Sequence, residues 1–414
     1  MLRQAQHDRH LFLLDSLTQP FAAFLHPCGY AATRYRTCPA RLDPFLSQKL
    51  RFWSLMAMVL LIYVHAYNLH PRYLQPFTPV QEALGPGTWL QYLLANGLLR
   101  FRIPILFAIS GYLFARRDGA EPHGQRVRRR LRTLGLPYLL WSGLWLLAAW
   151  VLEQFPVTKQ AVIDAEISPF WPRQLLSQYA PGELLTRWLV LPVPFQLWFL
   201  RSLLVYNLAY PWLKKALLHW PAAYFWVAGL LWFFMVPLPV TEGEGLLFFG
   251  LGAWLALRNL DGLTPPRWLR VLPLAALWLG VCLLKTWLAF RAGPPFSPVL
   301  AGAMLALHKV AEISGMLVAW FGLDGLVRWC MARAWFSWLT GFSFMIYVLH
   351  VPLVNYATEL ALRYGRSVPH IHLLTYLLLP LLLVALSAGL GALLRWALPQ
   401  VYTVLTGGRG LATS

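Results

Sequence analysis

Ten stretches of predominantly apolar residues recur along this 414-residue chain, and nothing else in it constrains the fold so much. In hydrocarbon, backbone N–H and C=O groups must be satisfied within the chain itself, so an apolar segment of about twenty residues crosses a bilayer as a helix. The windows fall near 52–70, 89–115, 133–153, 188–213, 222–240, 245–257, 269–290, 298–323, 334–357 and 372–396. The sixth is short and glycine-rich, from Gly245 to Gly252, and suits close packing against neighbouring helices better than lipid exposure. The expected fold is an all-α polytopic membrane bundle of about ten transmembrane helices.

Composition agrees. Hydrophobic residues make up 58% of the chain and charged residues only 12%, against about a quarter in soluble domains. The net charge of +19 does not point to nucleic acid, because the basic residues cluster between apolar runs. With the N-terminus inside, the inner segments carry about three times the Lys and Arg of the outer loops, which places both termini in the cytoplasm. The apolar run from Leu11 to Phe24 is broken by Asp15, Ser16, Thr18 and Pro20, so residues 1–45 read as a cytoplasmic or interfacial extension. The membrane domain takes 46–396, and 397–414 is a short cytoplasmic tail. Cys28, Cys38, Cys282 and Cys330 lack metal-ligand spacing, and no metal site is expected. The loop from Glu153 to Arg187 is the longest outer one, either a cap over the outer mouth or a plain connector.

Five basic residues fall inside the apolar windows: Arg100, Arg102, Arg201, Lys285 and Lys309. Charges at such depth persist by facing a partner or a watery cavity. Glu312 lies one turn from Lys309 and four residues from His308, so one face of the eighth window carries several ionisable groups. These residues predict a polar site enclosed by the bundle.

In the first window His65 lies roughly 21 Å along the axis from Arg51, with Asn68 one turn further. An imidazole inside a membrane suits a general base or a proton relay, more than packing alone. In the ninth window His350 reaches a similar depth, and Ser343, Tyr347 and His350 share a stripe. Pro352 makes a simple helix break, with His350 as its polar end, an equal reading of that pattern. The run Arg126-Val127-Arg128-Arg129-Arg130-Leu131-Arg132 puts Arg126, Arg129 and Arg130 on one helical face. It fits an anionic-lipid anchor or the phosphates of a cofactor, and the two roles are compatible.

Five segments, in order, resemble the acyltransferase-3 family of ten-helix membrane acyltransferases, over roughly residues 46–396. They are Lys49-Leu50-Arg51 with His65-Ala66-Tyr67-Asn68; Arg102-Ile103-Pro104 through Phe107 to Ser110-Gly111-Tyr112; Arg130 to Tyr138; Leu197 to Leu203; and Ser343 to His350. Ser54 stands where many members carry an arginine eleven residues before the histidine. The resemblance implies transfer of an acyl group, usually acetyl, from cytoplasmic acyl-CoA to a hydroxyl or amine of a carbohydrate or glycolipid. It makes His65 catalytic and Arg126, Arg129, Arg130 and Arg132 the donor-binding residues.

The expectation is therefore a multi-pass O-acyltransferase of the cytoplasmic (inner) membrane, modifying a cell-envelope carbohydrate or glycolipid. His65 and His350 are the catalytic candidates, with Asn68, Arg100, Arg102, Ser110, Arg201, Ser343 and Tyr347 lining the site. The alternative is a glycolipid or polysaccharide transporter or flippase, with the same buried charges forming a substrate path. A non-catalytic scaffold needs all five intramembrane cations to be structural.

Overall fold

The structure, a computed structural model, describes residues 42–70, 72, 74–118, 122–165, 174–238, 240–260, 262–291 and 297–410. Most of the 1–45 extension, Cys28 and Cys38 lie outside the described residues. Among the described residues the regular structure is helical, with one isolated bridge between Pro237 and Glu242.

Helix α1 (Pro44–His65) starts where the Asp43 carboxylate accepts the Phe45 and Leu46 N–H groups and a proline occupies the first helical position. Next, α2 (Pro86–Leu93) passes through a π turn at Leu94–Leu98 and a bend into α3 (Arg102–Ala115). In the same way α4 (His123–Arg130) continues through a π turn at Leu131–Gly135 into α5 (Leu136–Leu152). The arginine run is thus the first stretch of the third long helix.

Two short helices follow, α6 (Pro156–Asp164) and α7 (Pro181–Leu189). Then come α8 (Trp198–Leu208), α9 (Tyr210–His219), α10 (Pro221–Phe233) and α11 (Gly243–Leu257). Two long helices, α12 (Val271–Arg291) and α13 (Pro298–Gly322), precede the short α14 (Asp324–Met331) and α15 (Ala334–Thr340). The chain ends with α16 (Ser343–Tyr364), α17 (Ile371–Ala397) and α18 (Pro399–Thr406).

Seven helices, taking α2–α3 and α4–α5 as one each, are long and apolar enough to cross a membrane; α9 and α10, bent by 117°, make an eighth if they form one span. The chain is a multi-pass membrane protein. Four sequence windows do not become single long helices. Pro192 and Pro194 stop the 188–213 window from running through, because proline lacks the N–H that continues a helix. The 222–240 window ends at Phe233, ahead of Pro237, and the glycine-rich window yields only 15 residues. The 334–357 window also breaks, between Thr340 and Ser343.

The glycine-rich helix α11 does pack closely, as its composition suggests. A Cβ on Gly252 would lie 1.9 Å from the Ala108 carbonyl oxygen, and one on Gly111 2.0 Å from that of Phe249, so α3 and α11 meet backbone to backbone. Helix α1 lies against α3, α14 and α16, which places its far end in the middle of the bundle. The fully buried Lys49 ammonium, 2.6 Å from Asp324, ties α1 to α14.

Candidate active site

Helix α16 carries Pro352, and the consequences assemble the site. Proline has no N–H to offer the carbonyl four residues back, so the Val348 oxygen takes its hydrogen bond from Trp145 Nε1 at 2.9 Å. Val351 leaves helical geometry (φ −113°, ψ 134°), and its oxygen accepts from Gln196 Nε2 at 2.8 Å. The Tyr347 hydroxyl donates to the Gln196 carbonyl at 2.6 Å. The Phe195–Leu197 turn is thereby clamped on both sides of His350.

His350, fully buried at this break, is brought against His65: the two rings lie 5.5 Å apart at 29°. Its Nδ1 is 2.7 Å from the Tyr347 carbonyl oxygen. A carbonyl only accepts, so Nδ1 carries the proton and Nε2 keeps its lone pair. That Nε2 is buried without a hydrogen-bond partner. His350 does stand at the helix break, as its neighbour Pro352 suggests.

His65 ends α1 with its ring between His350 and the edge of Phe195, 5.0 Å away at 84°. It is half-buried and faces other side chains of the bundle. Arg102 and Arg100 lie within electrostatic range of it. Their presence follows from the first π turn: Arg100 donates to the Ala95 and Leu74 carbonyls at 2.9 Å each, and Arg102 to that of Leu99 at 2.9 Å. Cations suit the C-terminal end of a helix, where carbonyls lack partners. Arg102 nonetheless retains a buried Nε without an acceptor, a donor held near the imidazoles.

Lys285 serves the same turn, its Nζ 2.6 Å from the Asn96 oxygen, and begins a second polar group. It donates to His308 Nδ1 at 3.0 Å, His308 Nε2 meets Glu312 at 3.0 Å, and Glu312 also pairs with Lys309 at 3.2 Å and Trp232 Nε1 at 3.1 Å. The ionisable stripe read from the eighth window is thus a satisfied network joining α10, α12, α13 and the π turn.

The remaining expected residues divide. Asn68 is buried and bonds the start of α17, its Nδ2 2.9 Å from the His372 oxygen and its Oδ1 3.2 Å from His372 Nδ1. Arg201 holds the Val190 carbonyl and thereby the chain entering the Phe195–Leu197 turn. Ser343 donates to the Thr340 oxygen at 2.7 Å, at the α15–α16 break rather than beside the histidines. Ser110 lies eight residues beyond Arg102, about 12 Å along α3. Arg126 is buried in an ion pair with Asp118 at 3.1 Å, which also binds Lys214 at 2.6 Å. Arg129 and Arg130 are half-buried, Arg130 over Phe114, and Arg132 is exposed. Arg51 bonds Ser337 and Thr340 of α15.

Sequence reading did not single out Phe195, Gln196, Trp145 or Phe344. One signal was available: Gln196 is a lone polar residue just after Pro192 and Pro194 in an otherwise apolar window. Phe344, Tyr347 and His350 form a row of rings spaced 6.0 and 6.1 Å apart, which His65 continues. At the opposite end of α16 from Phe344, α6 packs on the helix and Asp164 pairs with Arg363 at 2.8 Å. There, Asp164, Glu359, Arg363, Arg366 and His372 line a polar cavity of about 410 Å³. Asp164, at the end of α6, is thus the part of the long loop that lines this cavity; residues 166–173 lie outside the described residues. Among the described residues no group of three His, Cys, Asp or Glu side chains is placed to hold a metal ion.

The chain is a helical membrane protein that belongs to the acyltransferase-3 family, whose acyltransferase-domain model matches residues 50–396. It is 26% identical over 373 residues to the succinoglycan biosynthesis protein ExoH of Rhizobium meliloti (strain 1021), covering 89% of this chain and 94% of that protein. No solved structure matches the chain.

Proposed function

We propose that this enzyme moves an acyl group, acetyl in the simplest case, from cytoplasmic acyl-CoA to a hydroxyl of a cell-envelope polysaccharide or glycolipid. In this reading it sits in the inner membrane as a ten-helix bundle with both termini cytoplasmic, the shorter helices α8 to α11 completing the bundle. The relative's role in succinoglycan biosynthesis supports a carbohydrate acceptor. The polar cavity of Asp164, Glu359 and Arg363 is the acceptor's approach, and the arginine-rich start of the α4–α5 helix is the donor's.

The observation that carries the reading is the apposition of His65 and His350, with one nitrogen of the buried ring committed to a carbonyl and the other unpartnered. Neutral His65 takes the proton of the acceptor hydroxyl as its oxygen bonds to the thioester carbonyl carbon. Arg102, whose Nε is buried without an acceptor, donates to the oxyanion that forms. Collapse breaks the C–S bond, and the departing thiolate recovers the proton from the imidazolium as CoA thiol. His350 supports His65 by stacking and offers Nε2 as the second proton acceptor.

The test is acyl transfer from labelled acetyl-CoA in membranes holding the parent or His65→Ala. A loss of about 10²-fold or more is expected for a general base. Turnover at the parent rate by an intact variant would remove His65 from the mechanism. Movement of glycolipid without acylation would favour the transporter.

A further inference from the structure

The break in α16 leaves more than one buried lone pair unused. Gln196 Nε2 donates to the Val351 carbonyl at 2.8 Å, and a carbonyl only accepts, so the amide is held with its nitrogen toward α16. Its other end, Oε1, is then an acceptor with no partner among the described residues, on a residue only 2% exposed. Turning the amide would set two oxygens against each other at Val351. The backbone is pinned as well, by the Tyr347 hydroxyl on the Gln196 carbonyl at 2.6 Å. Asn355, four residues beyond Val351, repeats the pattern: its Nδ2 donates to the Ala165 carbonyl at 3.3 Å, and its buried Oδ1 has no partner among the described residues.

Both oxygens lie along the way from the polar cavity to the histidines. Gln196 follows Phe195, whose ring meets His65, and Val351 follows His350. Val351, Asn355 and Glu359 recur at intervals of four on α16, a stripe about 12 Å long from the break to the cavity that Glu359 lines. His350 Nε2, Gln196 Oε1 and Asn355 Oδ1 are all acceptors, and none can donate. A ligand that satisfies them brings several donors, as the hydroxyls of a sugar do. A carboxylate or a phosphate brings none.

We infer that Gln196 is a specificity-determining residue: its Oε1 takes a hydrogen bond from a second hydroxyl of the acceptor sugar while the hydroxyl to be acylated meets His65. The substrate class is thus a sugar that presents two free hydroxyls to the site, not any alcohol; this rests on the acyl-transfer reading above. Asn355 Oδ1 meets the same sugar further out, on its way from the polar cavity.

The parent and Gln196→Met are placed in phosphatidylcholine nanodiscs with acetyl-CoA. Acetyl transfer is measured to hexyl β-D-glucopyranoside, hexyl β-D-galactopyranoside and the monodeoxy analogues of each. One analogue lacks the hydroxyl that is acylated and is inert with either protein. The parent is expected to disfavour a second analogue by about 10–100-fold in kcat/KM, because that analogue leaves Oε1 unpaired in the complex. Gln196→Met has no oxygen to strand, so the ratio should fall to about one. A purely structural amide, acting through Val351, would slow every acceptor alike and keep the ratio, which overturns the inference. Should Gln196→Met fail to assemble, Gln196→Leu is read by the same ratio. A parent that disfavours no second analogue overturns the inference without any variant, and would mean that Oε1 holds water only. A parent that acylates none of the glycosides sinks the carbohydrate reading and this inference with it.

Discussion

His350 Nδ1 lies 2.7 Å from the carbonyl oxygen of Tyr347, one turn back on the same helix. That single bond decides which nitrogen of a fully buried ring holds the proton. It leaves Nε2 without a partner in the ring that stacks on His65 from another helix. In a folded interior an unpartnered nitrogen costs free energy, which makes His350 Nε2 a candidate for contact with substrate.

Replacing His350 with phenylalanine separates the ring from its nitrogens. The stack on His65 and most of the packing survive, while Nε2 is lost. Acyl transfer should fall by about 10²-fold or more with the protein still monodisperse in detergent. An active His350→Phe enzyme would show that the second ring matters only as a surface for the first.

Tyr347→Phe removes the hydroxyl that holds the Gln196 carbonyl. The bond is worth about 1 kcal/mol, and the stranded carbonyl costs about 1–3 kcal/mol more. Because the clamp positions Phe195 against His65, kcat should drop more than KM for the donor changes. Steady-state kinetics decide it; an altered KM with unchanged kcat would place Tyr347 in donor binding instead.

Glu312→Gln leaves His308, Lys309 and Lys285 in a dry interior without their carboxylate. A loss of about 3–5 kcal/mol is expected from breaking one side of a buried ionic group. Pairing it with Lys309→Met should recover part of that loss, because the stranded ammonium is gone too. Thermal unfolding in detergent reads both; no recovery in the double variant would mean that the two residues are not coupled.

Gly252→Ala pushes a methyl into the backbone of α3 at Ala108. Overpacking there costs about 1–3 kcal/mol or more, since backbone cannot move aside as a side chain does. Gly280→Ala, on α12, meets nothing within 4 Å and serves as the matched control. Melting temperatures that fall equally for both would refute the close-packing account of the glycine-rich helix.

Much of this protein was legible before any coordinates. Apolar length alone predicts a helical membrane bundle, because unpaired backbone is intolerable in hydrocarbon. His65 stood out for a related reason, an ionisable ring where lipid gives it no purpose, and the arginine run declared itself by charge. The glycines of α11 announced close packing, and Ser343, Tyr347 and His350 could be put on one stripe by counting.

Other features had no such signature. Helical periodicity says which residues share a face, but not which face of another helix lies opposite. The pairing of His65 with His350, 285 residues apart in the chain, therefore came only from packing. The same holds for Gln196 and Trp145, whose partners are carbonyls released by a helix break, and for Arg126, turned inward to Asp118. Local composition determined that the chain enters the membrane and where its charges gather. Only the tertiary structure decided which of those charges meet, because hydrogen bonds and ring contacts form between surfaces that distant segments bring together.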